Sequence, residues 1–340
     1  MAYGGDVSTN EYKLDNAPVD CIQSIKFGQV DNQHLLTASW DCTVRLYDVK
    51  ANQLRAQYTH DAPVLDASFQ GNNNCWSGGT DKKVKRFDFQ SQTETTVGHH
   101  TEPVRCVEYN PDANLVCTGS WDSHLKLWDP RMSDSDQKSC IADHALADKI
   151  YTMSVCGNKI ILGLAGRRVI IMDLRNMTQV QRESLLKYQI RCIDSFPDQR
   201  GYVVTSIEGR VAVEYLDASP EVQKNRYAFK CHRNKDPATG MEIVYPVNAI
   251  SFHRKYNTFA TGGSDGFVSI WDAKNKKRIV QFHRYPTSIS SLSFSPDGST
   301  LAIACSYLHA SDDTYNLRDI PKDTIFVRRI QENEVRNKGK

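Results

Sequence analysis

The chain has little of what most functional classes require. Lys and Arg number 42 against 40 Asp and Glu, a formal net charge of +2 over 340 residues, so no field of one sign argues for nucleic acid or membrane as the partner. No run of about 18 uncharged apolar residues occurs, and the opening MAYGGDVSTNEYKL lacks the basic start and apolar stretch of a secretory leader. A soluble intracellular protein is expected. Ten cysteines are present, without a C-x-x-C pair or zinc spacing, and most sit in apolar runs such as VRCVEY and LVCTGS, where a thiol acts as a small hydrophobe. Neither disulfides nor a metal or other cofactor is expected. A Gly-rich phosphate loop, H-E-x-x-H, G-x-S-x-G and a Cys/His nucleophile signature are also missing, which argues against an enzyme.

What is present is a repeat. Small residues, an Asp-containing turn, an alternating strand and an aromatic-Asp end recur as SWDCTVRLYD, GTDKKVKRFD and GSWDSHLKLWD, in weaker form as LAGRRVIIMD and SIEGRVAVEYLD, and again as GGSDGFVSIWD. The ends fall at Asp48, Asp88, Asp129, Asp173, Asp217 and Asp272, at intervals of 40, 41, 44, 44 and 55 residues. This is the period of a four-stranded propeller blade. A seventh unit, SISSLSFSPDGSTLAIACS followed by TIFVRRI, supplies three strands and lacks a fourth. Residues around Glu11–Leu14 precede the first inner strand at the right distance to complete that last blade and remove its exposed edge. The prediction is a single all-β domain over residues 1–330, a seven-bladed β-propeller closed by an N-terminal strand, with 331–340 a frayed tail. The inner strands VLDASF, VRCVEY, IRCIDSF, VNAISF and ISSLSF are read as apolar and buried on both faces. Two stretches, RNKDPATGMEIVYP and YLHASDDTYNLRDIPKD, are predicted to be long surface loops.

Asp41, Asp81, Asp122 and Asp265 recur in the turn after the second strand of a blade. An enzymatic reading would pair such carboxylates with His60 or His99. The structural reading is stronger, because a turn Asp bonds local amides and a neighbouring His, and catalytic groups need not recur once per blade. Residues in these turns that do no turn work are more informative. Trp40 and Trp121 precede the turn Asp where other blades place Thr80 or Ser264, and a ring there is a candidate interface anchor. Trp76, Trp128 and Trp271 fall within strands and are assigned to the core. Blades four and five replace the turn Asp and bring Arg167, Arg168 and Arg210; Arg191, Lys230 and Arg233 lie near the same loops. Such forks suit carboxylates or a phosphorylated side chain. The physical hypothesis is an acidic or phosphorylated peptide laid over this face, held by Trp on one side and Arg on the other.

The words GLAGRRVIIMDLRNM, SLLKYQIRC, SIEGRVAVEYLD, YAFKCHR, YPVNAISFH and FATGGSDGFVSIWD, over essentially the whole chain, resemble the WD40 family of the mitotic spindle-checkpoint Bub group, third-named member. LKYQ-x-RC, SIEGRVA and FKCHR are shared with a sister family, the propeller-type mRNA export factor that binds nucleoporins. SWDCTVRLYDV, GSWDSHLKLWDPR, VEYLD and the short N-terminal arm look like the checkpoint family. The resemblance implies a kinetochore adaptor that binds a short segment of a checkpoint kinase and its pseudokinase-type relative across its top face. It further implies reading of phosphothreonine motifs on a kinetochore scaffold, an anaphase-inhibitor complex as a further partner, and residence in the nucleus and at mitotic kinetochores, with the cytoplasm as a second location. It places the family's aromatic positions at Trp40 and Trp121 and its cations at Arg191, Arg210 and Lys230. The loop RNKDPATGMEIV departs from the family pattern. The alternatives are the mRNA export factor, which would need a basic surface for RNA, and, from another class, a hydrolase or ligase subunit using the loop carboxylates.

Overall fold

A computed structural model describes residues 10–132, 139–308 and 320–337. Seven four-stranded antiparallel sheets follow one another around a central channel, and the strands of each are lettered A to D from the channel outward. Blade one comprises Ile22–Phe27, His34–Ser39, Thr43–Asp48 and Gln53–Thr59. Blade two comprises Val64–Gln70, Asn74–Gly79, Lys83–Asp88 and Thr93–His99, and blade three Val104–Asn110, Leu115–Ser120, His124–Trp128 and Cys140–Ala145. Blade four is built of Ile150–Cys156, Lys159–Leu164, Arg168–Asp173 and Gln179–Glu183, and blade five of Ile190–Ser195, Gly201–Ser206, Arg210–Tyr215 and Tyr227–Lys230. Blade six holds Val247–His253, Thr258–Gly263, Val268–Asp272 and Lys277–Gln281. In blade seven the inner three are Ile289–Phe294, Thr300–Cys305 and Thr324–Arg329, and the outermost is the N-terminal strand Glu11–Lys13.

The closure occurs where the sequence places it. Glu11, Tyr12 and Lys13 pair with Arg328, Val327 and Phe326, and the Leu14 amide continues the ladder by donating to the Ile325 carbonyl at 2.9 Å. The Glu11 carboxylate accepts from the Tyr285 hydroxyl at 2.7 Å and lies 3.6 Å from the Arg328 guanidinium. Leu14 is 4% exposed and packs with Ile22, Ile25 and Val327, so the N-terminal strand, blade one and the last blade share one core.

The core lies between blades, where apolar side chains of neighbouring sheets interdigitate. The inner strands differ from expectation here, because they are not apolar on both faces. Alternate positions carry Ser24, Lys26, Asp66, Ser68, Glu108, Thr152, Ser154, Asp194, Ser251, Ser291 and Ser293, which line the channel. The reason is the unpaired edge of each strand A. Its amides are met by the side chains of an adjacent blade: Ile25 and Phe27 donate to Ser291 and Ser293, Val107 to Asp66, Ile193 to Thr152, Ser195 to Ser154, and Phe294 to Ser251, at 2.8–3.1 Å. These polar residues therefore weld neighbouring sheets.

Two further expectations are corrected. RNKDPATGMEIVYP is no irregular loop: Arg233–Lys235 and Glu242–Val244 form a two-stranded hairpin between blades five and six. In YLHASDDTYNLRDIPKD, residues 309–319 lie outside the described residues. The C-terminal stretch, expected to fray, is packed through residue 337. Glu332–Val335 forms a helical turn with a Gln331/Glu334 capping box, Val335 is 1% exposed, and its carbonyl accepts from the Thr258 hydroxyl at 2.8 Å. The ten cysteines are all free thiols, and burial pushes Cys75 and Cys106 up to about 12.

Candidate functional site

One local geometry generates the face that carries the candidate residues. In the turn between strands B and C, the residue after the turn acid adopts a left-handed backbone: Cys42, Lys82, Ser123, Gly209 and Gly266 all have φ between 57° and 78°. The preceding residue is pinned by its amide to the entry of strand A, as in Trp40 to the Cys21 carbonyl, Trp121 to Pro103 and Ile207 to Gln189. Side chains at that preceding position therefore stand on a single face of the propeller.

The turn carboxylates are structural. His60 bridges Asp81 at 2.8 Å and the Ser77 hydroxyl at 2.7 Å. His100, and not His99, bridges Asp122 at 3.0 Å and the Thr118 hydroxyl at 2.8 Å, and Thr118 also accepts the Trp128 indole N–H. His232, Asp265, Thr261 and Trp271 repeat the arrangement in blade six. In blade one Asp41 is bound by Arg45 at 2.8 Å instead. Burial lowers the pKa of His100, so the ring is a neutral spacer; burial opposes the charge on Asp122, yet the Thr101 and His124 amides hold its carboxyl below the usual range. In each of these blades the carboxylate is thus tied to a neighbouring side chain and to local turn amides, the arrangement of a structural turn. Among the described residues no group of three His, Cys, Asp or Glu could hold a metal ion.

The channel mouth on this face is set by a second repeated feature. In all seven blades the pairing of strands A and B skips the second residue of strand A: Gln23, Leu65, Arg105, Tyr151, Arg191, Asn248 and Ser290. A bulge re-aims its side chain, and all of these except Leu65 line a central cavity of about 640 Å³. Arg191 thus sits at the mouth, where its Nε donates to Asn248 Oδ1 at 3.2 Å. Asn248 is fixed in that orientation because its amide donates to Ser264 and to the Ile289 carbonyl, both at 3.0 Å. Arg105 occupies the same position in blade three. Neither guanidinium has a carboxylate partner among the described residues, and burial together with the charge of Arg105 lowers the pKa of Arg191. Two like charges held at one mouth disfavour one another, a repulsion that a nearby anion would relieve. The sequence reading missed Arg105, although V-R-C in blade three and I-R-C in blade five mark it.

The remaining residues fall around this mouth. Trp40 is 44% exposed, with its indole N–H donated to the mouth residue Gln23 at 3.1 Å. Trp121 is half-buried, and its indole N–H is closed off from water without an acceptor. Arg210 and Lys230 are opposed in the outer strands of blade five. Each already faces an acid: Glu208 lies 3.3 Å from Arg210, and Glu242 on the hairpin 3.8 Å from Lys230. Arg233 is a staple, donating to Glu242 at 2.8 Å and to the Glu208 carbonyl at 2.7 Å. Deeper in the channel Lys26 joins Asp66 and Glu108 at 3.0 and 2.8 Å; burial disfavours its charge, but the two acids outweigh this and its pKa is raised. Asp194 has no such cation, and burial pushes its carboxyl up to about 7.

The comparisons with known proteins agree with this architecture. The WD domain, G-beta repeat model matches residues 14–48, 91–129, 244–272 and 275–314. Mitotic checkpoint protein BUB3.1 of Arabidopsis thaliana is 46% identical over 330 residues, covering 96% of this chain and 95% of that protein. Caenorhabditis elegans bub-3 is 43% identical over 337 residues, covering 97% and 96%. The chain belongs to the BUB3 family of mitotic checkpoint proteins. The mRNA export factor GLE2 of Chaetomium thermophilum is a more distant sister, 34% identical over 315 residues and covering 89% of this chain and 85% of that one. The solved structure of U3-55K superposes with a TM-score of 0.79 at 15% identity, covering 94% and 99% of the two chains, and bears on the propeller fold alone. In this BUB3-family propeller, Trp40 and Arg191 lie on the face of the turns between strands B and C.

Proposed function

We propose that the protein is a non-catalytic checkpoint adaptor whose turn face binds a short acidic segment of a checkpoint kinase and of its pseudokinase-type relative. The observation that carries the reading is the pair Arg105 and Arg191, two guanidiniums at the channel mouth without a carboxylate partner among the described residues. A segment crossing the face inserts an acidic side chain between them and packs against the Trp40 and Trp121 rings. Phosphothreonine motifs of a kinetochore scaffold bind at Arg210 and Lys230. Because Glu208 and Glu242 already face these cations, a dianionic phosphate must compete with them, and binding there falls with salt. Recruitment of the kinases to unattached kinetochores in the nucleus follows.

The test is titration of a labelled kinase segment into wild type, Arg191→Ala and Trp40→Ala. Each substitution weakens binding by about 1–3 kcal/mol, as for interface anchors, and leaves thermal unfolding unchanged. Unaltered affinity in both variants refutes the placement. The mRNA export reading is separated by a nucleoporin segment, which binds more weakly than the kinase segment if the protein works in the checkpoint.

A further inference from the structure

A second cavity, of about 450 Å³, opens between blades five and six on the face opposite the turns. It is formed where strands C end, at Tyr215 and Ala273, beside the turns at 196–200 and 254–257 that join strands A and B. Its floor is apolar and aromatic: Phe196 and Ala273 are buried, and the Tyr215 ring stands edge-on to Phe196 at 5.9 Å. Its rim is basic. Arg200 and Lys274 are exposed and have no acidic partner among the described residues, and Lys276 rests its ammonium over the Tyr227 ring at 4.6 Å. The single carboxylate on the wall, Asp198, already accepts from the Asn257 amide at 3.0 Å.

Two groups on this wall are buried without a partner, and a third is left open to a ligand. The Tyr215 hydroxyl makes no protein hydrogen bond among the described residues, and burial together with nearby Asp198 raises its pKa, which keeps it a donor. The carboxamide oxygens of Asn257 and Asn337 are closed from water and accept nothing, an arrangement that native structures seldom leave standing. Nothing in the fold requires three cations to gather around one apolar floor.

We propose that this opposite face is a second docking site, for an acidic peptide segment of a partner protein that places one apolar side chain in the cavity. The apolar side chain covers Phe196, and flanking carboxylates meet Arg200, Lys274 and the Tyr215 hydroxyl. A free phosphate or nucleotide fits less well, because the cations stand at an open rim and none is buried to encage a phosphate. The chain's own last residues, Lys338, Gly339 and Lys340, carry the wrong charge to occupy it. The site lies away from the channel mouth, so a propeller could hold one partner on each face at once.

The test uses a fluorescein-labelled peptide, Glu-Asp-Glu-Phe-Asp-Glu-Asp, and fluorescence anisotropy with the full-length chain carrying Arg105→Ala and Arg191→Ala, which removes the anion site at the mouth. Saturable binding is expected to persist in that background. It should weaken at least tenfold when Arg200→Glu and Lys274→Glu are added, threefold or more with Tyr215→Phe, and at least tenfold when the peptide Phe is replaced by Gly. All these side chains are partly exposed, and unchanged thermal melting confirms that the variants fold. No saturable binding, or binding indifferent to the Arg200/Lys274 pair, overturns the proposal. Displacement by ATP together with equal affinity for the Gly peptide would also overturn it, assigning the face to small anions. Loss of kinase-segment binding in the Arg105/Arg191 background bears only on the mouth, so the two readings fail separately.

Discussion

Replacing Glu11 and Leu14 together by Ala should lower the stability of the whole propeller, although both lie at the edge of the chain. Leu14 is 4% exposed in the core shared by blades one and seven, and a Leu→Ala change in such a site costs about 2–5 kcal/mol. Removing the Glu11 carboxylate leaves the Tyr285 hydroxyl, on a side chain 2% exposed, without its acceptor, at about 1–3 kcal/mol. Arg328 keeps Glu334 at 2.8 Å, so no unpaired cation adds to the penalty. With about 2 °C lost per kcal/mol in a chain of this size, the apparent Tm should fall by roughly 6–15 °C. The assay is thermal unfolding by far-ultraviolet circular dichroism with calorimetry alongside. One cooperative transition should move as a unit, because opening the last blade exposes sheet edges on both sides of the gap. A melting curve within 2 °C of wild type would refute the reasoning, and so would a small early transition followed by an unchanged main one.

Two further outcomes follow from buried polar groups. Asp194 is pushed from an ordinary value near 3.8 up to about 7, chiefly by burial, with the Ser154 hydroxyl and Ser195 amide opposing and the charge of Glu108 adding to the rise. A raised acid favours the folded state below its unfolded pKa, and that contribution is lost as pH rises through the folded one. Between pH 5 and 7.5 the wild type should therefore lose about 2–3 kcal/mol relative to Asp194→Asn in urea unfolding; parallel pH profiles would contradict the assignment. Asp122→Ala leaves the His100 ring and the Thr101 and His124 amides without their acceptor, and should cost about 1–3 kcal/mol in the same assay. An effect below 0.5 kcal/mol would show that the turn does not depend on its carboxylate.

The fold was legible because a propeller writes its architecture as a period, and the aromatic-Asp ends mark strand C in blade after blade. Even the closing strand could be placed, since a seventh unit short of one strand demands a donor and NEYKL stood at the right distance. Trp40 and Arg210 stood out as departures from the repeat, and Arg191 and Lys230 as cations beside the same loops. Arg105 escaped because in VRCVEY it reads as one polar residue of an apolar inner strand; only alignment of VRC with IRC on the common bulge brings it to the mouth beside Arg191. The partners of Arg210 and Lys230 were illegible for another reason. Glu208, beside Arg210 in sequence, also faces Arg233, and Glu242 reaches Lys230 through a hairpin that a local reading takes for loop, so the net charge of that sector depends on tertiary contact. Similarly, Ser and Thr in strands A look like dilution of an apolar run until the neighbouring blade's unpaired amides are seen. The packed C-terminus hides behind its Lys- and Asn-rich end, though Gln331 and Glu334 already carried the spacing of a capping box.

The most direct test of the central claim is a crystal structure of the protein with an acidic checkpoint-kinase segment. The account predicts the segment lying across the turn face, a carboxylate about 2.7–3.0 Å from the guanidinium of Arg191 or Arg105, and a side chain of the segment covering the Trp40 ring. A segment bound on another face, with the channel mouth empty and Trp40 still open to solvent, would contradict it.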